Sequence, residues 1–209
     1  MKIKSLNPSC CGRGFFFVCL LLLTACGHES GVSILPDDCQ LKTGDIVFRR
    51  GGGVTSQAVL IAEKGGVYSH VGIVVDSAGV KMIVHAVPDE PDFEGDSDRV
   101  KMDRPEVFFN EVRASQGEVR RHRDTLLARK AAEVAMKVYQ RHTPFDHDYD
   151  DKDTTRMYCT ELVTYAYRQA GCPLSGIQHH GLRFMSLETD CVLPSDILDC
   201  KDLQLIVKF

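Results

Sequence analysis

The sequence has no tryptophan and only 8% aromatic residues among 209. Its longest apolar run, Phe15 to Leu23, is nine residues, and roughly 20 are needed to cross a bilayer as a helix. No Cys-x-x-Cys pair or His/Cys array has zinc-ligand spacing, which argues against a structural zinc. The triplet Gly51-Gly52-Gly53 is not followed by Gly-Lys-Ser/Thr, so it is not a phosphate loop; it reads as a mobile loop or a close backbone approach. No internal repeat and no second domain is visible. What is present, 44% hydrophobic and 26% charged residues, is ordinary for one globular domain.

The N-terminus stands apart. Lys2, Lys4 and Arg13 precede the apolar run, which ends in Leu23-Thr24-Ala25-Cys26. That pattern is a signal segment and resembles a bacterial lipobox, in which Cys26 becomes the lipidated first residue. The expected organisation is a signal peptide over 1–25, the lipidated cysteine and a tether over 26–40, and the folded domain over 41–209. Gly27 follows the cysteine with no Asp, which points to the outer membrane facing the periplasm. The chain after residue 25 holds 22 basic and 29 acidic side chains, a net charge of −7. An acidic body argues against nucleic acid or anionic lipid as partner; the membrane is met through the lipid. Cys10, Cys11 and Cys19 leave with the signal. With Cys159 free, the exported compartment allows Cys39, Cys172, Cys191 and Cys200 two disulfides, in any of three pairings.

Along the domain, Ile46 to Phe48 reads as a short strand, and Val54 to Glu63 as a short helix. Tyr68 to Val75 and Val80 to Val87 form a β-branched hairpin around Asp76-Ser77-Ala78-Gly79. Centring that turn between Ser77 and Ala78 sets His70 opposite His85 on one face. Val100 to Met102, Glu106 to Phe109 and Val119 to Arg121 read as further strands. Asp124 caps a helix running to about residue 142, with Leu127, Ala131, Val134, Ala135 and Val138 inward. The acidic stretch 146–153 fails as a calcium loop, because Asp151 and Met157 stand where an EF-hand needs Gly and Glu; it reads as a solvated loop. Gly176 to Gly181 is a Gly/His segment, Pro194-Ser195-Asp196 starts a helix, and Leu203 to Phe209 is the last strand.

One stretch carries the chemistry. Met157-Tyr158-Cys159-Thr160-Glu161-Leu162-Val163 opens a helix that Gly171 and Pro173 end, with Cys159, Leu162, Val163, Ala166 and Ala170 on one face. A thiol there meets free backbone N–H groups whose partial positive charge favours a thiolate. With the paired hairpin imidazoles of His70 and His85 as a source of a base, and a polar residue to orient it, the thiol makes a nucleophile, base and orienter set. An ion pair of thiolate and imidazolium is the expected resting form. Candidate substrate or oxyanion contacts are Tyr158, Tyr68 and Ser56, with the first N–H groups of the Cys159 helix.

Gly44-Asp45-Ile46-Val47-Phe48, Tyr68-Ser69-His70-Val71-Gly72-Ile73-Val74, Tyr158-Cys159-Thr160-Glu161-Leu162-Val163 and Leu193-Pro194-Ser195-Asp196, in that order, resemble the YiiX/YebB-like group of NlpC-type papain-like cysteine hydrolases. This is the circularly permuted branch that also holds the lecithin:retinol acyltransferase-like enzymes, with histidine before cysteine in the chain. The resemblance spans roughly residues 41 to 200. It implies an α+β fold, with an antiparallel sheet or barrel packed against helices, Cys159 as nucleophile, His70 as base and no cofactor. The family's third position is often Glu; His85 stands there, as a histidine does in the acyltransferase-like relatives.

Four functions come in order of expectation. The first is a hydrolase of amide bonds in cell-wall peptide or another small peptide-like substrate. The second is a lipid acyltransferase or thioesterase using the same three residues. The third is a binding protein on an inactive papain-like fold, against which the intact Cys159, His70 and His85 speak. The last is a transition-metal site built from those residues. Specificity is expected in loops 49–57, 88–117 and 143–155.

Overall fold

A computed structural model describes residues 31–184 and 187–209. The expected signal peptide and most of the tether, Cys26 included, lie outside the described residues. No described helix is long and apolar enough to cross a membrane.

In chain order the elements are β1 (Ile46–Arg49), α1 (Val54–Ala62), β2 (His70–Ser77), β3 (Val80–Val87), β4 (Arg99–Asp103), α2 (Pro105–Phe108), β5 (Gly117–His122), α3 (Thr125–Gln140), α4 (Cys159–Gln169), β6 (His180–Phe184), β7 (Leu187–Cys191), α5 (Pro194–Leu198) and β8 (Leu203–Lys208). Six strands form one antiparallel sheet in the order β4-β3-β2-β1-β5-β8. This is the α+β architecture expected of the sequence.

Strand alternation sorts the sheet into two apolar faces. Ile46, Phe48, Val71, Ile73, Val75 and Val84 face one core, against which α3 and α4 pack. Val47, Val74, Ile83 and Val119 face a second, smaller core with Phe108 and Phe109. Because both faces are covered, β1 and β2 read as near-continuous apolar runs. Helix α3 reaches the sheet through Ala128, Ala131, Ala132 and Ala135, small side chains that admit close approach. Asp124 caps it as expected, its carboxylate accepting from the N–H groups of Leu126 and Leu127 at 3.0 and 3.1 Å. Tyr167 Oη donates to the Gly44 carbonyl at 2.8 Å and ties α4 to the turn before β1.

Two expectations are corrected, and a stretch left without an assignment gains strands. The β2–β3 hairpin closes through two residues, Ala78 and Gly79, with φ of 53° and 84°, and Ser77 pairs with Val80. Positive φ at both central residues is the turn whose twist matches paired strands. The register is therefore displaced by two residues from the expected one, and His70 is not directly opposite His85. A shift of two keeps the face, so the two histidines meet diagonally. Glu106 to Phe109 is not a strand: Pro105 occupies the first position of α2, where its missing N–H costs nothing. The Gly/His segment leads into a two-stranded sheet of β6 and β7.

Gly72 makes the diagonal contact possible. A Cβ there would sit 2.8 Å from Ile83 Cγ2, 3.1 Å from His85 Cβ and 3.1 Å from the Val84 carbonyl oxygen. Gly72→Ala is expected to push β3 outward and cost about 1–3 kcal/mol, as overpacking does. A lower Tm with an unchanged unfolding slope, together with a drop in turnover larger than the drop in folded fraction, checks it.

Candidate active site

The site is built where β2 begins and α4 begins. Cys159 is the first residue of α4, and its sulfur is faced by the N–H groups of Val71, Thr160 and Cys159 itself. Val71 follows His70, the first residue of β2, so the thiol sits at the strand's start; strand alternation turns the Val71 side chain toward the α4 core and the His70 ring toward His85 and Phe108. In this geometry Sγ and the His70 ring are not hydrogen-bonded to each other. The expected thiolate is also not the resting form. Cys159 is half-buried yet enclosed by protein; burial pushes its thiol up to about 11, the three N–H groups pull it back only partly, and Glu63 adds to the rise. Desolvation outweighs the helix terminus here.

Behind His70 runs a relay. His70 Nε2 lies 2.9 Å from His85 Nδ1, and His85 Nε2 lies 3.1 Å from Asp103 Oδ2. Both rings are buried. Phe108 of α2 closes over them, with centroids 5.7 Å from His70 and 5.0 Å from His85. Burial, then the charge of Arg49, then His85 hold His70 well below the ordinary imidazole range. Burial likewise lowers His85, although Asp103 opposes it. Burial alone would raise Asp103, but its bond to His85 and the charges of His85, Lys101 and Arg113 outweigh that and hold it ionised.

The proton positions can be assigned in order. Ionised Asp103 only accepts, so neutral His85 donates from Nε2. Its Nδ1 then accepts, so neutral His70 donates from Nε2. That leaves the His70 Nδ1 with a lone pair that can accept a proton. One carboxylate thus sets the direction of the whole chain.

Asp103 was not among the sequence candidates. It pairs in register with Ile83, two residues from His85 on the same face of the neighbouring strand, and only the β3–β4 register reveals it. Around it stands a partly buried ionic lattice: Arg113 Nη1 is 3.4 Å from Asp103 and 2.9 Å from Glu90, and Glu90 also pairs with the buried Arg49. Lys101 Nζ donates to the Glu90 carbonyl at 2.8 Å. The Pro/Asp/Glu-rich loop therefore fastens the relay from outside.

Of the other candidates, Tyr158 caps α4 and lines the cavity beside Cys159. The structure does not bring Tyr68 or Ser56 there. Tyr68 Oη donates to Glu118 Oε2 at 2.9 Å, inside the core. Ser56 sits on α1 beside Gly51. The expected disulfides are absent: Cys39, Cys172, Cys191 and Cys200 are free, as is Cys159. Cys39 packs in the smaller core, whereas Cys191 and Cys200 lie in the larger one. The acidic stretch is not simply solvated, since Asp146 is fully buried and accepts from the N–H groups of Asp148 and Asp150 at 3.1 and 2.6 Å.

Glu161, in the first turn of α4, is buried and accepts weakly from Tyr158 N at 3.4 Å, while its Oε1 has no partner. Burial, with Asp146 and Asp151 nearby, raises its carboxyl to about 8. Between about pH 4 and pH 8 the unfolded chain has released this proton and the folded chain keeps it, so stability falls as pH rises through that window and is level below it. Glu161→Gln is expected to raise stability by up to roughly 3 kcal/mol at pH 7 and by almost nothing at pH 4. Denaturant melts at the two pH values check it; an equal effect at both would show that Glu161 is ionised.

A cavity of about 270 Å³ opens beside the thiol. Val54, Ala58 and Val59 of α1 form one wall, and Val192, Leu193 and Pro194 the other. The second wall is held against α4, since Thr160 Oγ1 donates to the Val192 carbonyl at 2.7 Å. The Ser195 N–H donates to Glu63 Oε1 at 2.9 Å and joins the two walls.

Comparison with solved structures finds the crystal structure of metalloprotein yiiX from Escherichia coli O157:H7, with a TM-score of 0.65 and 22% identity over 82% of this chain and 99% of that one. At that identity the likeness is one of fold. A metal does not fit the residues at this site: His70 Nε2 and His85 Nδ1 and Nε2 are spent on the relay. Among the described residues, no group of three or more His, Cys, Asp or Glu side chains is arranged to hold an ion. A search of the curated proteins gives no match. The family model of the permuted papain-like amidases matches residues 40–207. A cysteine at a helix start, with a histidine at a strand start before it in the chain, is thus found in a chain that belongs to the permuted papain-like amidase family, YaeF/YiiX, C92.

Proposed function

We propose that this thiol hydrolase cleaves an amide bond in a small peptide-like substrate, using Cys159 as nucleophile and His70 as base, with His85 and Asp103 fixing the base's orientation. The observation that carries the reading is the Asp103–His85–His70 relay, which leaves one lone pair, on Nδ1 of His70, whose strand neighbour Val71 turns its N–H to the Cys159 sulfur. In the substrate complex Sγ comes within reach of Nδ1, a contact that commonly tightens only when substrate binds. Nδ1 takes the thiol proton as sulfur attacks the carbonyl carbon. The first N–H groups of α4 hold the oxyanion. The imidazolium then gives its proton to the leaving amine, and an acyl-enzyme remains. Water, deprotonated by Nδ1, releases the acid and restores the thiol.

The apolar cavity favours an apolar group on the acyl side of the scissile bond. The same cavity supports the second reading, transfer or hydrolysis of a lipid acyl group. The work is placed in the bacterial envelope, with Cys26 as the lipid anchor in the outer membrane and the domain in the periplasm; the lipobox-like end of the signal run supports this. Incubation with muropeptides and, separately, with phospholipid, followed by mass spectrometry, tests the substrate. Cleaved peptide with no lasting adduct is expected. A stable acyl adduct on Cys159 after exposure to lipid, with muropeptides untouched, overturns the amidase reading.

A further inference from the structure

Helix α1 is unusual for a surface helix. No charged residue lies between Arg50 and Glu63, and the stripe that faces solvent is uncharged: Val54 is 87% exposed and Ile61 76%, with Gln57 as the one exposed polar side chain between them. Val54 and Ile61 are seven residues apart, two turns along one face. Val54 also lines the cavity beside Cys159, so the cavity reaches the surface at this helix. Phe93, 64% exposed, lies in the adjoining loop, which Thr55 Oγ1 joins through Asp89 at 3.1 Å.

We propose that this stripe of α1 rests on the lipid bilayer and sets the mouth of the Cys159 cavity against the membrane surface. The proposal rests on the lipid-anchor reading of Cys26. Five residues, hence six steps of the chain, separate Cys26 from Val32, at most about 20 Å when extended. The Val32 carbonyl accepts from the Glu111 N–H at 2.9 Å. The segment after Glu111 is bonded to Arg50, just ahead of α1, through Ser115 N to the Arg50 carbonyl at 2.9 Å and Arg50 N to the Gln116 carbonyl at 3.0 Å. The chain therefore enters the domain at the end where α1 begins, within one short tether of the anchor. Val32 and Val112, each 71% exposed, lie along that same route. The contact is apolar rather than ionic, because the body is acidic and the loop beside α1 carries Asp89, Asp92 and Glu94.

The absence of tryptophan supplies the test. Full-length chains carrying Ile61→Trp or Leu126→Trp each hold a single reporter and are reconstituted in phosphatidylcholine vesicles with plain or brominated acyl chains. Leu126, 70% exposed, lies in the first turn of α3, where Ala128 packs on Gly44 at the opposite end of β1. Ile61→Trp is expected to show blue-shifted emission and to lose most of it to the brominated chains, and Leu126→Trp to lose none. Equal Ile61→Trp emission in the two kinds of vesicle overturns the proposal. So does a blue shift that tracks protein concentration without vesicles, which marks a second copy on the stripe. Flotation of the parent and Cys26→Ser chains reports the anchor separately. A parent that floats with unquenched Ile61→Trp emission keeps the anchor and loses the docking face. A Cys26→Ser chain that floats as well as the parent removes the anchor, and quenching then supports the docking face on its own.

Discussion

Alanine at Cys159 or at His70 is expected to lower kcat/KM by about 10⁴–10⁶-fold, and the double variant to be no worse than either single one, because groups that act as one unit are not additive. Losses that multiply would show that the two side chains do not work together. The neutral resting pair makes a second, pH-based distinction. An ion pair would let Cys159 react with iodoacetamide at neutral pH as a ready thiolate. With burial holding the thiol up to about 11, alkylation is instead slow at pH 7 and climbs with pH well beyond an ordinary thiol's midpoint of about 8.5. Turnover behaves differently, since the attack needs neutral His70 and a protonated thiol. Its acid limb falls below pH 6.5, where His70 gains a proton, and its plateau covers the neutral range. An acid limb above pH 7 would restore the ion pair. His70→Ala removes the base for turnover, and any remaining alkylation then reports the free thiolate.

Asp103→Asn is the sharper test of the relay. The asparagine amide matches the carboxylate in size but can donate. Its NH₂ facing His85 Nε2 makes that nitrogen the acceptor and moves the His85 proton to Nδ1. Nδ1 then donates to His70 Nε2, and the His70 proton is displaced onto Nδ1, the position from which the base must act. The expected loss in kcat is on the order of 10²–10⁴-fold with KM nearly unchanged, since the carboxylate touches no substrate. The lattice around Asp103 also loses a charge beside Lys101 and Arg113, so stability is measured in parallel. If Asp103→Asn lost folding but kept kcat per folded molecule, Asp103 would be a structural ion and the proton order would not depend on it.

The site was legible in unequal parts. Cys159 could be placed because helix periodicity, a terminating Gly171 and the ordered motifs all agree locally. His70 and His85 could be placed on one face because strand alternation survives a two-residue error in register. That error arose from the turn: Asp76 to Gly79 reads as a four-residue loop, and the backbone spends only Ala78 and Gly79 on it. Asp103 left no such mark. It ends a short strand in a run of mixed charge, and its meaning comes from a neighbour 18 positions away. Tyr68 was misread for the opposite reason. It is close to His70 in the chain but precedes β2, and its ring packs into the larger core, where its hydroxyl bonds Glu118.

By itself the sequence determined the features that local pattern encodes: an α+β chain, a thiol at a helix start, two imidazoles on one sheet face and an acidic body behind a signal-like leader. Periodicity of 2.0 and 3.6 residues and turn chemistry are short-range, so they are written in short stretches. Tertiary structure alone decided the third carboxylate, the direction of the protons and the charge state of Cys159. Each of these depends on which strand lies beside which and on how much water is removed around a group, and such long-range pairing and desolvation have no local signature. The opening of the cavity along an uncharged helix belongs with them, because only packing shows which face of α1 is left bare.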